Sequence, residues 1–307
     1  MAETKRATKK KIPGRGVDRI SPGLKRYVDI VVKTALVEDI GSGDVTTSAI
    51  VPSTMKGSCR IVAKERLVVA GLFIAENVFR RLDGSAVFTA GFRDGDRVKK
   101  GETIASVSGR LAALLAGERV ALNFLQRLSG IATLTAEFVK RAGGRVKILD
   151  TRKTTPCLRS LERYAVRAGG GLNHRSGLYD SVLIKDNHIK AAGSVAEAIS
   201  RVNKKYKGRV LVETEASTVE EAGEAASAGA DIIMLDNMTP ALIKKALKVI
   251  EEGALVEVSG GVTLSNVRSL AATGADFISI GALTHSAPAM DISMEVTAHE
   301  GKGSKRG

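Results

Sequence analysis

RVLVETE (209–215), DIIMLD (231–236), LVEVSG (255–260) and DFISIG (276–281) are short apolar runs that end on acidic, hydroxyl or glycine residues. They recur at a steady interval: Glu213 to Asp236 is 23 residues, Asp236 to Ser259 is 23, and Ser259 to Gly281 is 22. Ala-rich patterns with helical spacing fill the gaps: TVEEAGEAASAG (218–229), PALIKKALKVIEEG (240–253) and TLSNVRSLAATG (263–274). SAGADIIML (227–235) is even echoed by ATGADFISI (272–280). Two runs upstream, RVKILD (145–150) and SVLIKD (181–186), extend the series to six. Continuous apolar strands alternating with helices predict an α/β fold with a parallel sheet covered by helices. Six strands predict an incomplete (β/α) barrel; a doubly wound open sheet is the alternative.

The segment before this series mixes strand and helix signals and predicts an N-terminal α/β sandwich-like domain. MKGSCRIVAKERLVVAG (55–71) alternates as one or two strands, LFIAENVFRRL (72–82) has helical spacing, and AVFTAGF (86–92) reads as a strand. DGDRVKKGETIASVSG (94–109) reads as turn, strand, turn, strand; it has the outline of a biotin or lipoyl carrier but no lysine at a hairpin tip. GERVALNFLQRLSGIATLTAEFVKRAGG (117–144) supplies helices that lead into the repeats. The expected divisions are a basic, disordered arm (1–26), the N-terminal domain (27–128), the catalytic barrel (129–285), and a C-terminal segment (286–307) that returns to the N-terminal domain and ends in a basic tail.

The chain carries a net charge of +14, but residues 1–26 hold +7 of it and residues 300–307 hold +2. A specific nucleic-acid role is therefore not expected: the body has no Trp, no zinc-finger spacing and no RNA-binding strand motif. No apolar run reaches the ~20 residues that cross a bilayer, so no membrane partner is expected. Cys59 and Cys157 are too far apart to read as a disulfide framework. The expected location is the cytoplasm.

Function-bearing residues collect where the strands end. Asp150-Thr151-Arg152-Lys153, Lys185-Asp186-Asn187-His188, Glu213 and Glu215, Asp236-Asn237, Ser259-Gly260-Gly261 and Gly281 all follow or close an apolar run. In β/α barrels that edge is the active-site rim. Glycines directly after a strand let a backbone approach an anion closely, and a following helix N-terminus favours negative charge, so SGGVTLSNV (259–267) and IGALTHS (280–286) suit phosphate. Glu215 and Asp236 could hold Mg²⁺, accept sugar hydroxyls, or merely pair with nearby cations. Glu213 has the facing of Glu215 because strand side chains alternate. Arg152, Lys153, Arg175 and Lys185, with His174 beside them, predict a polyanionic substrate, since planar Arg forks grip carboxylates. Arg159, Arg163 and Arg167, four apart, read as a solvated or interface stripe of a helix.

DTRKTTPCLRSLERYAVRAGGGLNHRSGL (150–178), LIKDNH (183–188), VETEAS (212–217), IIMLDN (232–237), EVSGGVTLSNV (257–267) and IGALTHSAPAMDIS (280–293) resemble quinolinate phosphoribosyltransferases. So do EDIGSGDVTT (38–47) and ERVALNFLQRLSGIAT (118–133). The resemblance runs from about Tyr27 to Glu295 and implies quinolinate plus phosphoribosyl pyrophosphate giving nicotinate mononucleotide, pyrophosphate and CO₂, with Mg²⁺, in NAD biosynthesis. It implies homodimers in which each N-terminal domain covers the partner's barrel mouth, with Arg119 reaching across. It further implies that Thr151, Arg152, Lys153, His174, Arg175 and Lys185 surround quinolinate. Glu215 and Asp236 would lie near the ribose and metal; with Lys153 and Lys185 they form the implied catalytic set. Ser259, Gly260, Gly261 and Gly281 would hold phosphate, with His285 close by. The family usually has Gly where this chain has Cys157, so the turn after Pro156 is expected to differ slightly.

Overall fold

The computed structural model describes residues 20–299. The N-terminal part runs α1 (Pro22–Ile40), α2 (Val45–Ile50), β1 (Lys56–Ala63), β2 (Leu67–Val68), α3 (Leu72–Leu82), β3 (Val87–Ala90), β4 (Arg97–Val98) and β5 (Thr103–Arg110). α4 (Leu111–Ala142) is a single 32-residue helix. The repeats follow as β6 (Lys147–Leu149), α5 (Arg159–Ala168), β7 (Val182–Ile184), α6 (Asp186–Ala192), α7 (Val195–Tyr206), β8 (Val212–Ala216), α8 (Val219–Ser227), β9 (Ile232–Asp236), α9 (Pro240–Ile250), β10 (Leu255–Ser259), α10 (Val267–Ala271), β11 (Phe277–Ser279) and α11 (Ala282–His285). β12 (Ile292–His299) then returns to pair antiparallel with β1.

The six apolar runs form one parallel sheet in the order β6-β11-β10-β9-β8-β7. β6 and β7 are its ends, and only a bridge from Leu149 to Leu172 adds pairing beyond β6. The barrel is thus incomplete, as its six runs imply. All strands of this sheet point one way, so every C-terminal end opens on one rim. The helices start where their side chains dictate. Ser194, Thr218 and Thr239 each accept from a main-chain N–H three residues on, an N-cap worth about 1 kcal/mol. A four-stranded sheet, β12-β1-β5-β3, forms the N-terminal layer against α3 and α4.

One expectation about boundaries changes. Residues 22–26 are not part of an arm, because Ser21 caps α1 and Pro22 opens it; residues 1–19 and 300–307 lie outside the described residues. The division at residue 128 falls inside α4, which is one unbroken helix shared by both layers. Gly130 explains how it serves both. A Cβ there would lie 1.9 Å from the Pro288 carbonyl oxygen, so only glycine lets the C-terminal segment cross the helix this closely. Gly130→Ala should gain ~1 kcal/mol of helix propensity yet lose more to the clash. A melting temperature lowered by several degrees is the expected result; an unchanged one would show that the crossing can give way.

Candidate active site

The strand ends enclose a cavity of about 820 Å³. Thr151, Arg152, Lys153, His174, Arg175, Lys185, Glu215, Asp236, Ser259, Gly260, Gly261, Gly281 and His285 all line it. Arg119 does not: it is exposed on α4 and outside this chain's own mouth. A separate hollow of about 580 Å³ beside α2 has Asp44 as its one ionisable lining residue.

Each wall is held by chemistry the strands alone could not supply. After β6 the chain turns through Thr151–Thr155, where Thr151 Oγ1 accepts from the Lys153 N–H at 3.1 Å and the Thr284 hydroxyl donates to the Lys153 carbonyl at 2.7 Å. Beneath the turn, buried Glu162 accepts from the Thr155 N–H (3.1 Å) and hydroxyl (2.8 Å) and from Arg127 Nη2 (2.8 Å). Cys157 adopts a left-handed backbone (φ 60), the region that favours glycine, and the Tyr27 hydroxyl donates to its carbonyl. A non-glycine residue thus holds this turn at some backbone strain.

The stripe of Arg159, Arg163 and Arg167 is not a solvated face. All three are half-buried and turn onto the segment that carries Arg175. Arg159 Nη1 donates to the Ser176 carbonyl (3.0 Å), Arg163 Nη1 to the His174 carbonyl (2.6 Å), and Arg167 Nη1 to Asn173 Oδ1. Spacing alone fixes a helix face but not what it meets, and here it meets main-chain carbonyls. Asp150, buried at the end of β6, completes the clasp by accepting from the His174 N–H (2.7 Å) and from Asn173 Nδ2. Burial pushes its carboxyl up to about 6, against Arg163 and these donors.

Arg152 and Arg175 then face the cavity together. Burial and the neighbouring Arg152 push the Arg175 guanidinium down. The Nε atoms of both are shielded from solvent and lack a hydrogen-bond partner among the described residues. A buried unpaired donor is costly, so this pair expects an acceptor.

On the opposite wall Lys185 Nζ donates to Glu215 Oε1 at 2.6 Å, and Glu215 Oε2 accepts from the Asp186 N–H at 3.3 Å. Asp236 accepts from its neighbour Asn237 through Oδ2 at 2.9 Å. Asn237, itself left-handed (φ 55), lies so close over Gly260 that a Cβ there would be 2.2 Å from Asn237 Oδ1. Gly281 is closely packed instead: a Cβ would lie 3.0 Å from Lys153 Cδ and 3.1 Å from His285 Nε2, so both side chains would have to give way. The loop after β10 does not feed straight into a helix, because Gly260 and Gly261 have φ of 88 and 60 and α10 starts only at Val267.

Two buried acids complete the interior. Glu213 lies 3.1 Å and Glu257 3.7 Å from His174 Nε2. Glu257 carries no expectation from the sequence, although the alternation that relates Glu213 to Glu215 also places it on the face of Ser259.

Known proteins match the chain in sequence and in fold. The model of the quinolinate phosphoribosyl transferase C-terminal domain matches residues 131–295, and that of its N-terminal domain matches residues 44–129. The chain belongs to the quinolinate phosphoribosyltransferase family. A probable nicotinate-nucleotide pyrophosphorylase [carboxylating] of Bacillus subtilis is 48% identical over 262 residues, 85% of this chain and 90% of that one. A mitochondrial quinolinate phosphoribosyltransferase [decarboxylating] of Nicotiana tabacum is 42% identical over 285 residues, covering 87% and 81%. The crystal structure of NadC from Streptococcus pyogenes superposes with a TM-score of 0.86 at 43% identity, covering 89% of this chain and 96% of that one. No helix of the described residues is long and apolar enough to cross a membrane.

Proposed function

We infer that the chain transfers the phosphoribosyl group of phosphoribosyl pyrophosphate to quinolinate and decarboxylates the product, giving nicotinate mononucleotide, pyrophosphate and CO₂ for NAD biosynthesis. Family membership supports the reaction. The observation that carries the site is the pair of buried, unpartnered Nε atoms on Arg152 and Arg175. Quinolinate brings two carboxylates, and planar guanidinium forks match carboxylates bidentately.

In this proposal Arg152, Arg175 and Lys185 hold the carboxylates, with Thr151 and Lys153 beside them. Arg119 comes from a second copy, consistent with its exposure away from its own cavity, so the working unit is a homodimer. Ser259, Gly260, Gly261 and Gly281 take phosphate, with His285 at the edge. His174 is not given a carboxylate, because both its ring nitrogens are already engaged by protein groups. An exposed free thiol at Cys157 suits a reducing compartment, and we propose the cytoplasm.

Chemically, the ring nitrogen attacks the anomeric carbon as pyrophosphate leaves, through an oxocarbenium-like transition state. The protein contributes positioning and preorganised charge. Clamped carboxylates fix the nitrogen in line, and Glu215 and Asp236 meet the ribose hydroxyls. Once the nitrogen is quaternary, its positive charge stabilises the electron pair left on C2 when the carboxylate departs as CO₂, and a proton from solvent then takes its place on C2. Glu215 and Asp236 are hard oxygen donors on the same cavity wall, which fits a water-rich Mg²⁺ site. Mg²⁺ held there would offset charge on the leaving pyrophosphate.

The test is to incubate the protein with phosphoribosyl pyrophosphate, Mg²⁺ and either quinolinate or nicotinate, following CO₂ and nicotinate mononucleotide. Quinolinate should give both products in equal amounts. Nucleotide formed from nicotinate alone, with no CO₂ from quinolinate, would overturn the assignment in favour of a sister phosphoribosyltransferase.

A further inference from the structure

Behind the cavity, Glu257 takes no part in the chemistry above. It sits on β10, 1% exposed, facing Glu213 on β8, His174 on the loop before β7, and Asp150 at the end of β6. Its Oε1 makes no hydrogen bond of good geometry among the described residues, with the Ser279 hydroxyl of adjoining β11 its polar neighbour. His174 shows which charges are possible. Its Nδ1 accepts from the main-chain N–H of Arg175 at 2.8 Å, and an N–H donates only to an unprotonated ring nitrogen. The ring proton is therefore on Nε2, donated to Glu213 at 3.1 Å. Burial lowers the affinity of this ring for a second proton, while the Glu213 hydrogen bond and the charges of Glu213, Glu257 and Asp150 raise it, up to about 9. The hydrogen bond to Nδ1 decides the matter, because a proton on Nδ1 would set two donors face to face.

Beside a neutral ring, two ionised carboxylates cannot both be buried. Arg163 compensates Asp150, and Arg175 lies near Glu213. Glu257 has the longer contact to His174, and no ion pair with Lys or Arg is formed by it among the described residues. We propose that Glu257 carries a proton and is a positioning residue: as a neutral acid it keeps His174 in the tautomer that tethers the Arg175 main chain. This rests on the reading of Arg175 as a quinolinate clamp.

Burial and the charge of Glu213 push the Glu257 carboxyl up to about 8. Loss of this proton to solvent leaves a second buried carboxylate beside Glu213 and the neutral ring, and the repulsion between the two acids spreads the contacts that hold the His174–Arg175 tether. Quinolinate binding should therefore weaken above pH 8 while phosphoribosyl pyrophosphate binding does not.

Two measurements on the full chain test this. Nitrogen-15 NMR of labelled histidine, with His174 assigned through His174→Gln, should show an unprotonated Nδ1 and a protonated Nε2 at pH 7. Glu257→Gln, a neutral isostere, should keep KM for quinolinate within twofold of the parent at pH 7. That KM should stay flat to pH 9, where the parent's rises fivefold or more; KM for phosphoribosyl pyrophosphate should not change. An imidazolium at pH 7, or a tenfold higher KM for quinolinate in Glu257→Gln at pH 7, would overturn the proposal. Absence of any quinolinate turnover in the parent would instead refute the functional reading, and the His174 spectrum would still decide the tautomer.

Discussion

Arg152→Ala is expected to lower kcat/KM for quinolinate by roughly 30-fold to a few thousand-fold, the equivalent of about 2–5 kcal/mol for stranding a buried charge without its hydrogen-bonded partner. The guanidinium is half-buried on the turn after β6, its Nε has no partner, and Arg175 stands beside it. Removing it leaves one substrate carboxylate facing an alanine methyl, with water poorly placed to replace the fork. Folding should hardly notice. What the turn contributes structurally is the Arg152 carbonyl, which accepts from the Thr154 N–H at 2.9 Å and from Arg159 Nη2 at 3.3 Å, and the substitution keeps it. The expected signature is therefore a large rise in KM for quinolinate, little change in KM for phosphoribosyl pyrophosphate, and an unaltered melting temperature. Arg152→Lys should fall between, since it keeps the charge but loses the two-pronged geometry. Steady-state kinetics with each substrate varied would check this, and near-normal quinolinate turnover in Arg152→Ala would sink the assigned role.

The parts of the fold legible in the sequence are those governed by burial over short distances. A strand in a covered parallel sheet is apolar along most of its length, so DIIMLD and RVKILD announce themselves. The polar residues that close each run mark the rim because all strands point the same way. Contacts set by the third dimension were not legible. The spacing of Arg159, Arg163 and Arg167 states that they share a face; only the fold shows that the face meets the carbonyls of residues 174–176 and so stiffens the segment carrying Arg175. Gly130 reads as an ordinary glycine until Pro288, far along the chain, is seen crossing it. Glu257 sits in an apolar strand with the period of a core residue, and nothing in its neighbours announces a carboxyl beside an imidazole. The turn after Gly261 misled in the other direction: a glycine pair before a helical pattern suggests an immediate helix N-terminus, but the Thr263 N–H is taken by Asn266 and the helix starts later.

Arg127→Leu should be the most damaging change to stability. Arg127 projects from α4, and Glu162, its partner on α5, has a side chain with no exposure at all. The guanidinium meets Glu162 through Nη2 (2.8 Å) and Nε (3.2 Å), and donates as well to the Thr284 carbonyl and to the Ala287 carbonyl (3.2 Å). It thereby joins α4, the turn before α5 and α11 in one polar knot. A leucine would fill part of the space but strand a buried carboxylate, a change that costs about 3–5 kcal/mol. At roughly 2–4 °C per kcal/mol for a domain of 150–250 residues, the melting temperature should drop by about 10 °C. A second variant separates stranded charge from lost packing. Glu162→Gln added to Arg127→Leu should recover a substantial part of the loss at pH 8. A deficit unrelieved by Glu162→Gln would mean that the hydrogen-bonded knot, not the charge, holds these elements. In either case the turn bearing Thr151, Arg152 and Lys153 rests on Glu162 through Thr155, so quinolinate turnover should fall together with stability. Arg152→Ala, with no such link, should separate the two.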